Sequence, residues 1–223
     1  MTPGYKLLWH CDKRHKFCTK KRVWLKIMKD IGKVRESIVD SAEILFEKYG
    51  YEKTSMDEIA KAAHKAKASV YYHFDSKLAI FRAVLEKEMK QVTDRLCEIK
   101  KEYAGDIKRQ LTVYLTERMK LLHGAKVYWN YMNCTYLYGR NEVSETVDSL
   151  RKELDKWEYS YFAYVSDEGR RLCNLPENIS SEAFAKLVLT TLKGLEIQFS
   201  VNGDYDALRL AHDSMVELLI FRT

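Results

Sequence analysis

The chain has 223 residues, 46% hydrophobic and 31% charged, with nine glycines and two prolines. It is long enough for one large or two small cores, and so little Gly and Pro excludes a turn-rich all-β chain, a collagen or a linker-rich disordered polypeptide. No apolar run approaches the ~18 residues of a membrane span, and the net charge of +6 is lopsided: residues 1–30 carry +7 and the remainder −1.

Residues 1–30 show no clear helical or strand period. They read either as a basic arm adding phosphate contacts to a DNA-binding domain behind it, or as a functionless extension ahead of a start at Met28. The spacing of His10, Cys11, His15 and Cys18 fits no usual zinc pattern. No metal or cofactor is implied.

From residue 31 the pattern is helical almost throughout. Ile31, Val34, Ile38, Ala42, Leu45 and Tyr49 recur at three or four residues, and Gly50 supplies a stop. Ser55-Met-Asp-Glu58 reads as a capping box opening a short helix. After a break at His64–Lys65, a second short helix is expected over 66–73, with Val70 and Phe74 inward. A long helix is expected from Ser76 to Tyr103, and another from Ile107 until Gly124.

Residues 126–138 are crowded with aromatics. A further stripe runs from Val143 to Tyr164, Pro176 lies in the loop after it, and two last helices are expected at 180–200 and 204–221 with Asn202-Gly203 between them. The expected fold is all-α: a helix-turn-helix domain over 31–75 and a helical ligand-binding and dimerisation domain over 76–223.

A helix-turn-helix needs a second helix whose outer face is polar and can enter a major groove. Residues 61–77 carry four lysines against Asp75. With Val70 and Phe74 inward, Lys67, Ser69, Tyr71, Tyr72, His73 and Lys77 remain as outward donors, while Ala66 and Ala68 allow close approach. The run from Thr54 to Ala63, then Lys67-Ala-Ser-Val-Tyr-Tyr-His-Phe-Asp-Ser-Lys77 and Phe81, resembles the N-terminal domain of tetracycline-repressor-type (TetR/AcrR) regulators over residues 31–81. That resemblance implies an all-helical homodimer, operator binding by the N-terminal domains, and a small-molecule pocket behind them.

By position, the resemblance makes Lys67, Ser69, Tyr71, Tyr72 and His73 recognition-helix contacts. It makes Thr54, Ser55 and Lys77 phosphate contacts. Where the family usually has Gly and a β-branched residue at the turn, this chain has His64 and Lys65. A non-Gly residue in a left-handed turn costs about 1 kcal/mol, so either the turn is shaped differently or Lys65 is itself a DNA contact.

Nine of the 15 tyrosines fall between Tyr103 and Tyr164. Large side chains with polar tips suit an apolar pocket that orients a ligand by a few hydrogen bonds. The expected lining is Leu96, Ile99 and Tyr103, then Tyr114 and Arg118. It continues with Tyr128, Trp129, Met132 and Tyr136, and finally Trp157 and Tyr161. Arg118 and His123 are candidates to pair with an anionic ligand group. Stripes at Phe184, Val188, Thr191 and Leu195, and at Leu208, Ala211, Met215 and Leu218, suit packing against a second subunit.

The five cysteines are odd in number and scattered, and the N-terminus lacks a secretory signal, so the expected compartment is a reducing cytoplasm. No phosphate loop or nucleophile motif points to an enzyme. The expected protein is a ligand-responsive repressor that releases a palindromic operator. The alternative is a helical ligand carrier or adaptor that does not bind DNA.

Overall fold

The computed structural model describes residues 17–172, 179–202 and 205–221. His10, Cys11, His15, Pro176 and Gly203 lie outside them, as do the side chains of residues 1–27. The described residues form ten helices: α1 (Phe17–Tyr49), α2 (Met56–Ala62), α3 (Lys67–His73), α4 (Lys77–Glu102), α5 (Ile107–Gly124), α6 (Lys126–Tyr131), α7 (Cys134–Tyr138), α8 (Glu142–Leu172), α9 (Ser181–Asn202) and α10 (Tyr205–Phe221). The helix expected from residue 31 begins fourteen residues earlier, at Phe17, and the aromatic-rich stretch resolves into α6 and α7.

Local chemistry sets the boundaries. Gly50 ends α1 at φ 79°, a left-handed value that suits glycine, and a Cβ there would come within 3.2 Å of the Tyr131 hydroxyl. The capping box is formed: the Glu58 amide donates to Ser55 Oγ (3.3 Å), and the Ser55 amide to Glu58 Oε2 (2.8 Å). Ser76 and Asp106 cap α4 and α5 through the amides of Ala79 and Arg109. The short α6 is capped from another helix: Glu88 on α4 accepts from the amides of Val127 (2.9 Å) and Tyr128 (2.7 Å).

α1, α2 and α3 close around Ile38, Ala42, Phe46, Ile59, Val70 and Phe74, all buried. Each large apolar side chain among them contributes roughly 1.5–3 kcal/mol on leaving water. Phe81 at the start of α4 packs edge-on against Phe46 (5.3 Å) and Tyr51 (5.0 Å), so the same core continues into the long helix. Behind it, α4, α5, α8, α9 and α10 pack side by side, with α8 most extensively against α9. No helix among the described residues is long and apolar enough to cross a membrane.

Candidate nucleic-acid interface and effector region

The turn between α2 and α3 is a Schellman closure. The Lys65 amide donates to the Ala60 carbonyl (2.9 Å) and the His64 amide to the Lys61 carbonyl (3.1 Å). His64 takes φ 52° and is the only non-Gly residue with positive φ among those described. The departure from glycine therefore leaves the turn's shape unchanged, because histidine is among the residues that tolerate this region at modest cost.

That turn aims α3. Val70 and Phe74 are buried as expected, and Tyr72 is the most outward large side chain of the helix, 75% exposed. Its ring meets His73 edge-on at 5.2 Å. Tyr71 and Lys67 are also exposed, while Ser69, His73 and Lys65 are half-buried. Lys67 pairs with Asp57 at 2.7 Å, an interaction that raises the ammonium pKa, but both partners face water and the pair is weak. Ser55 is exposed at the start of α2, where its hydroxyl serves the capping box.

Two expected phosphate contacts point elsewhere. Thr54 is 3% exposed, and its hydroxyl donates to the Gly50 carbonyl at 2.8 Å. Lys77 turns inward: its ammonium donates to the Tyr51 carbonyl (2.8 Å) and lies 4.1 Å from the centre of the Tyr51 ring. Both side chains are spent on Gly50-Tyr51, where α1 meets the rest of the molecule. Sequence position placed them beside the recognition helix; the fold uses them to fasten it.

Tyr51 is the centre of that junction. Its amide donates to the Tyr131 hydroxyl at the end of α6 (2.7 Å), and its own hydroxyl donates to Glu142 Oε1 at the start of α8 (3.2 Å). Burial and the neighbouring Glu142 carboxylate push the Tyr51 phenol up to about 12, so it stays a donor at neutral pH.

The expected effector lining lies in the core among α4, α5, α6 and α8. Leu96, Ile99, Tyr114, Arg118, Tyr128, Met132 and Tyr161 are buried; Tyr103, Trp129 and Trp157 are half-buried. The Tyr136 side chain is outside the described set. The phenol tips meet protein partners: Tyr114 donates to Glu158 (3.0 Å), Tyr161 donates to Gln110 (3.2 Å), and Tyr128 accepts from Arg151 (3.4 Å). Trp157 also lines a surface cleft of about 270 Å³ with Met89, Leu150 and Leu154. A larger cleft of about 460 Å³ is lined by Cys97, Lys100, Lys101, Ala104, Gln110 and Tyr164.

Arg118 is not free for an anionic ligand. It is fully buried and grips Glu158 through two nitrogens (2.5 and 2.9 Å), while its third donates to Glu196 (2.6 Å). Burial opposes its charge, but Glu158 and Glu196 outweigh that and keep the guanidinium firmly protonated. Glu196 also pairs with Arg151, which pairs with Asp155, which pairs with Lys193. Burial would raise the Glu196 carboxyl, but Arg151 and Arg118 pull it below its ordinary value. Three cations and three anions thus balance across α5, α8 and α9. His123, the other anion candidate, is half-buried and stands edge-on to Trp129 at 5.2 Å.

Sequence reading missed Glu158 and Glu196, although a signal existed. Both occupy inward positions of apolar stripes, Glu158 between Leu154 and Phe162 and Glu196 between Leu192 and Phe199. A carboxylate at such a position needs a buried partner. His212 on α10 carried the same signal and is 1% exposed.

The expected interface stripes divide. Phe184 and Val188 are covered inside their own chain; Thr191, Leu195 and Met215 are half-buried, and Ala211 is exposed. The side chains of Leu208 and Leu218 are outside the described set. Among the described residues of α9 and α10, the large apolar side chains that face out are Leu187 (53%) and Leu210 (66%), neither of which the stripes include.

Residues 38–84 match the family described as bacterial regulatory proteins, tetR family. Over 48 residues the chain is 48% identical to the biofilm operon icaADBC HTH-type negative transcriptional regulator IcaR of Staphylococcus aureus strain Newman, covering 22% of this chain and 26% of that protein. The corresponding protein of Staphylococcus epidermidis is 42% identical over 53 residues, 24% of this chain and 29% of its own length. The match thus spans little more than a quarter of these curated relatives.

Likeness in fold runs much further. The transcriptional regulator FadR from Bacillus subtilis, solved in complex with stearoyl-CoA, superposes with a TM-score of 0.63 at 20% identity, over 83% of this chain and 97% of that one. Reduced NemR from E. coli gives a TM-score of 0.60 at 16% identity, over 84% and 98%. Over residues 38–84 the chain is thus similar to the helix-turn-helix head of the tetR family of bacterial regulatory proteins, and beyond them the likeness is one of fold.

Proposed function

We propose that this protein is a ligand-responsive DNA-binding transcriptional regulator, a repressor that releases a palindromic operator when a small molecule binds behind the head. The observation that carries the reading is the outer face of α3, where Tyr71, Tyr72 and Lys67 stand exposed on a helix held from beneath by Val70 and Phe74. In this reading Tyr72 and Tyr71 reach base edges, and Ser55, Ser69, Lys65, Lys67 and His73 steady the helix on phosphates and sugars. The head spans about residues 31–75 and acts in the cytoplasm without catalysis.

Two heads would occupy successive major grooves, roughly 34–36 Å apart, which requires a homodimer. The outward faces of α9 and α10, with Leu187 and Leu210, are the natural surface for it. The FadR neighbour, with its stearoyl-CoA, supports an effector with an apolar body. The neutral interior here favours the same, because Arg118 has no charge to spare for an anion. Such an effector would have to favour the released state by several kcal/mol to empty a mostly occupied operator.

The test is fluorescence anisotropy with DNA from immediately upstream of the protein's own gene against a scrambled duplex, at several salt concentrations. Tight, sequence-selective binding is expected, with a dimer in sedimentation. A monomer with weak, equal, or no affinity for duplexes tiling the neighbouring intergenic regions, after removal of any co-purified small molecule, overturns the reading in favour of a helical carrier.

A further inference from the structure

We propose that the first half of α1 is a rigid basic arm that lies along the phosphate backbone of the duplex outside the base pairs read by α3. The proposal rests on the reading of α2 and α3 as a DNA-binding head, and it adds a second binding surface that residues 38–84 do not contain.

Three observations place the arm. First, α1 is one helix from Phe17 to Tyr49, so it extends 21 residues ahead of the family match. Second, its direction is fixed at two points. The Gly50-Tyr51 end is tied to the body through the Tyr131 hydroxyl and Glu142. Fourteen residues before the end of α1, the Arg35 guanidinium lies 4.7 Å from the ring centre of Phe74, at the end of α3. At 1.5 Å per residue those two points are about 21 Å apart, and the helix continues about 27 Å further from Arg35 to Phe17. It therefore leaves the body behind and projects from beside the recognition helix.

Third, α1 is polarised in charge along its length. Arg22, Lys26, Lys29 and Lys33 fall at i, i+4, i+7 and i+11, one row of a helix. Lys29 and Lys33 are exposed. Beyond Arg35 the sign reverses: Asp40 and Glu43 are held by Lys87 of α4, each at 2.6 Å. Two carboxylates of the acidic half are thus held by a lysine of the body, and the basic half begins in water at Lys33 and Lys29. A row of cations on a helix that starts at the DNA-reading end fits a phosphate backbone, whose affinity is electrostatic and indifferent to sequence. A basic helix with apolar residues between its cations also suits an anionic membrane; the junction with the head favours the duplex.

The experiment compares the full chain with its R22Q/K26Q/K29Q/K33Q variant on a 36-base-pair duplex of arbitrary sequence, measuring the binding constant from 50 to 300 mM salt. Glutamine keeps helix propensity close to that of lysine and arginine; a K29Q/K33Q double variant stands in if the fourfold change disturbs folding by circular dichroism. The slope of log K against log salt is expected to become shallower by roughly 0.9 for each phosphate the arm no longer neutralises. Equal slopes in both proteins overturn the arm. So does a variant that loses binding only to vesicles of one part phosphatidylglycerol and three parts phosphatidylcholine.

The arm and the regulator fail differently. If selective operator binding survives with unchanged slopes, the arm alone is wrong. If the slopes differ but no selective sequence exists, the arm stands and the regulator reading falls.

Discussion

The head and the body handle polar groups in opposite ways. In the head, Val70, Phe74 and Phe46 make an ordinary apolar core, and the side chains proposed to read DNA stay in water on α3. In the body, Arg118, Glu158 and Glu196 are withdrawn from water altogether and bound to one another. The contrast shows that polarity alone does not mark a binding residue. An exposed Tyr72 costs the fold nothing and is free for a partner, whereas a buried Arg118 is already committed.

The largest expected effect comes from breaking that commitment. Arg118→Met leaves Glu158 and Glu196 buried with too little positive charge, and loss of one member of a buried pair costs about 3–5 kcal/mol. Thermal unfolding should show the loss, and the protein that remains folded in the cold should still bind DNA. Unchanged stability would mean that the network is open to water. Tyr72→Ala should do the reverse, weakening specific binding by about 1–3 kcal/mol while the melting temperature stays put. A drop in melting temperature would show Tyr72 to be structural.

A pH titration sharpens the comparison inside the body. Glu88 is 4% exposed, and burial pushes its carboxyl up to about 7, although the two backbone amides that favour its charged form pull the other way. The native state therefore holds the proton where the unfolded chain, near its ordinary 4.5, has lost it. This contribution to stability is complete below that value and is lost as pH rises towards 7, by at most about 1.4 kcal/mol per pH unit.

His212 has the opposite sign. Burial lowers its pKa, so it favours the native state above the ordinary histidine value and less as pH falls. Glu88→Gln should remove only the first effect, leaving a protein whose stability rises monotonically from pH 5 to 7. Chemical denaturation at four pH values checks it, and a variant whose stability curve parallels the parent's would show that Glu88 titrates normally.

The smallest effects belong to the head's fastenings. Lys77→Met should lower stability by about 1 kcal/mol through the missing bond to the Tyr51 carbonyl, with the salt slope of DNA binding unchanged. A slope reduced by about 0.9 would restore Lys77 to the phosphates. His64→Gly should leave the fold intact and gain up to about 1 kcal/mol, because glycine relieves the left-handed strain.

The head was nearly all legible in the sequence. Ser55 and Glu58, the break at His64, and the inward spacing of Val70 and Phe74 are local signals, and local hydrogen bonds and periodicity decide what they form. Lys77 was misplaced for the complementary reason: its partner, the Tyr51 carbonyl 26 positions away, is reached only once α1 has folded back against α4. Thr54 instead bonds locally to the Gly50 carbonyl four residues before it, a bond its position after the helix stop already allowed. In the body, periodicity marked α4, α5, α8, α9 and α10 with their apolar faces, but not the short α6 and α7. It did not say that Phe184 and Val188 would be covered by their own chain, since a stripe records that a face is apolar and not what covers it.

What the sequence determined by itself was the all-helical architecture, the capped turn and the outward side of the recognition helix, because each depends on residues within one or two turns of one another. The tertiary structure decided the pairing of Arg118 with Glu158 and Glu196, the cap that Glu88 gives α6, and the use of Tyr51 as the meeting point of α1, α4, α6 and α8. Those bonds join residues 26 to 91 positions apart. A charge or hydroxyl on an apolar stripe announces that it needs a partner, and only the packing of whole helices supplies one.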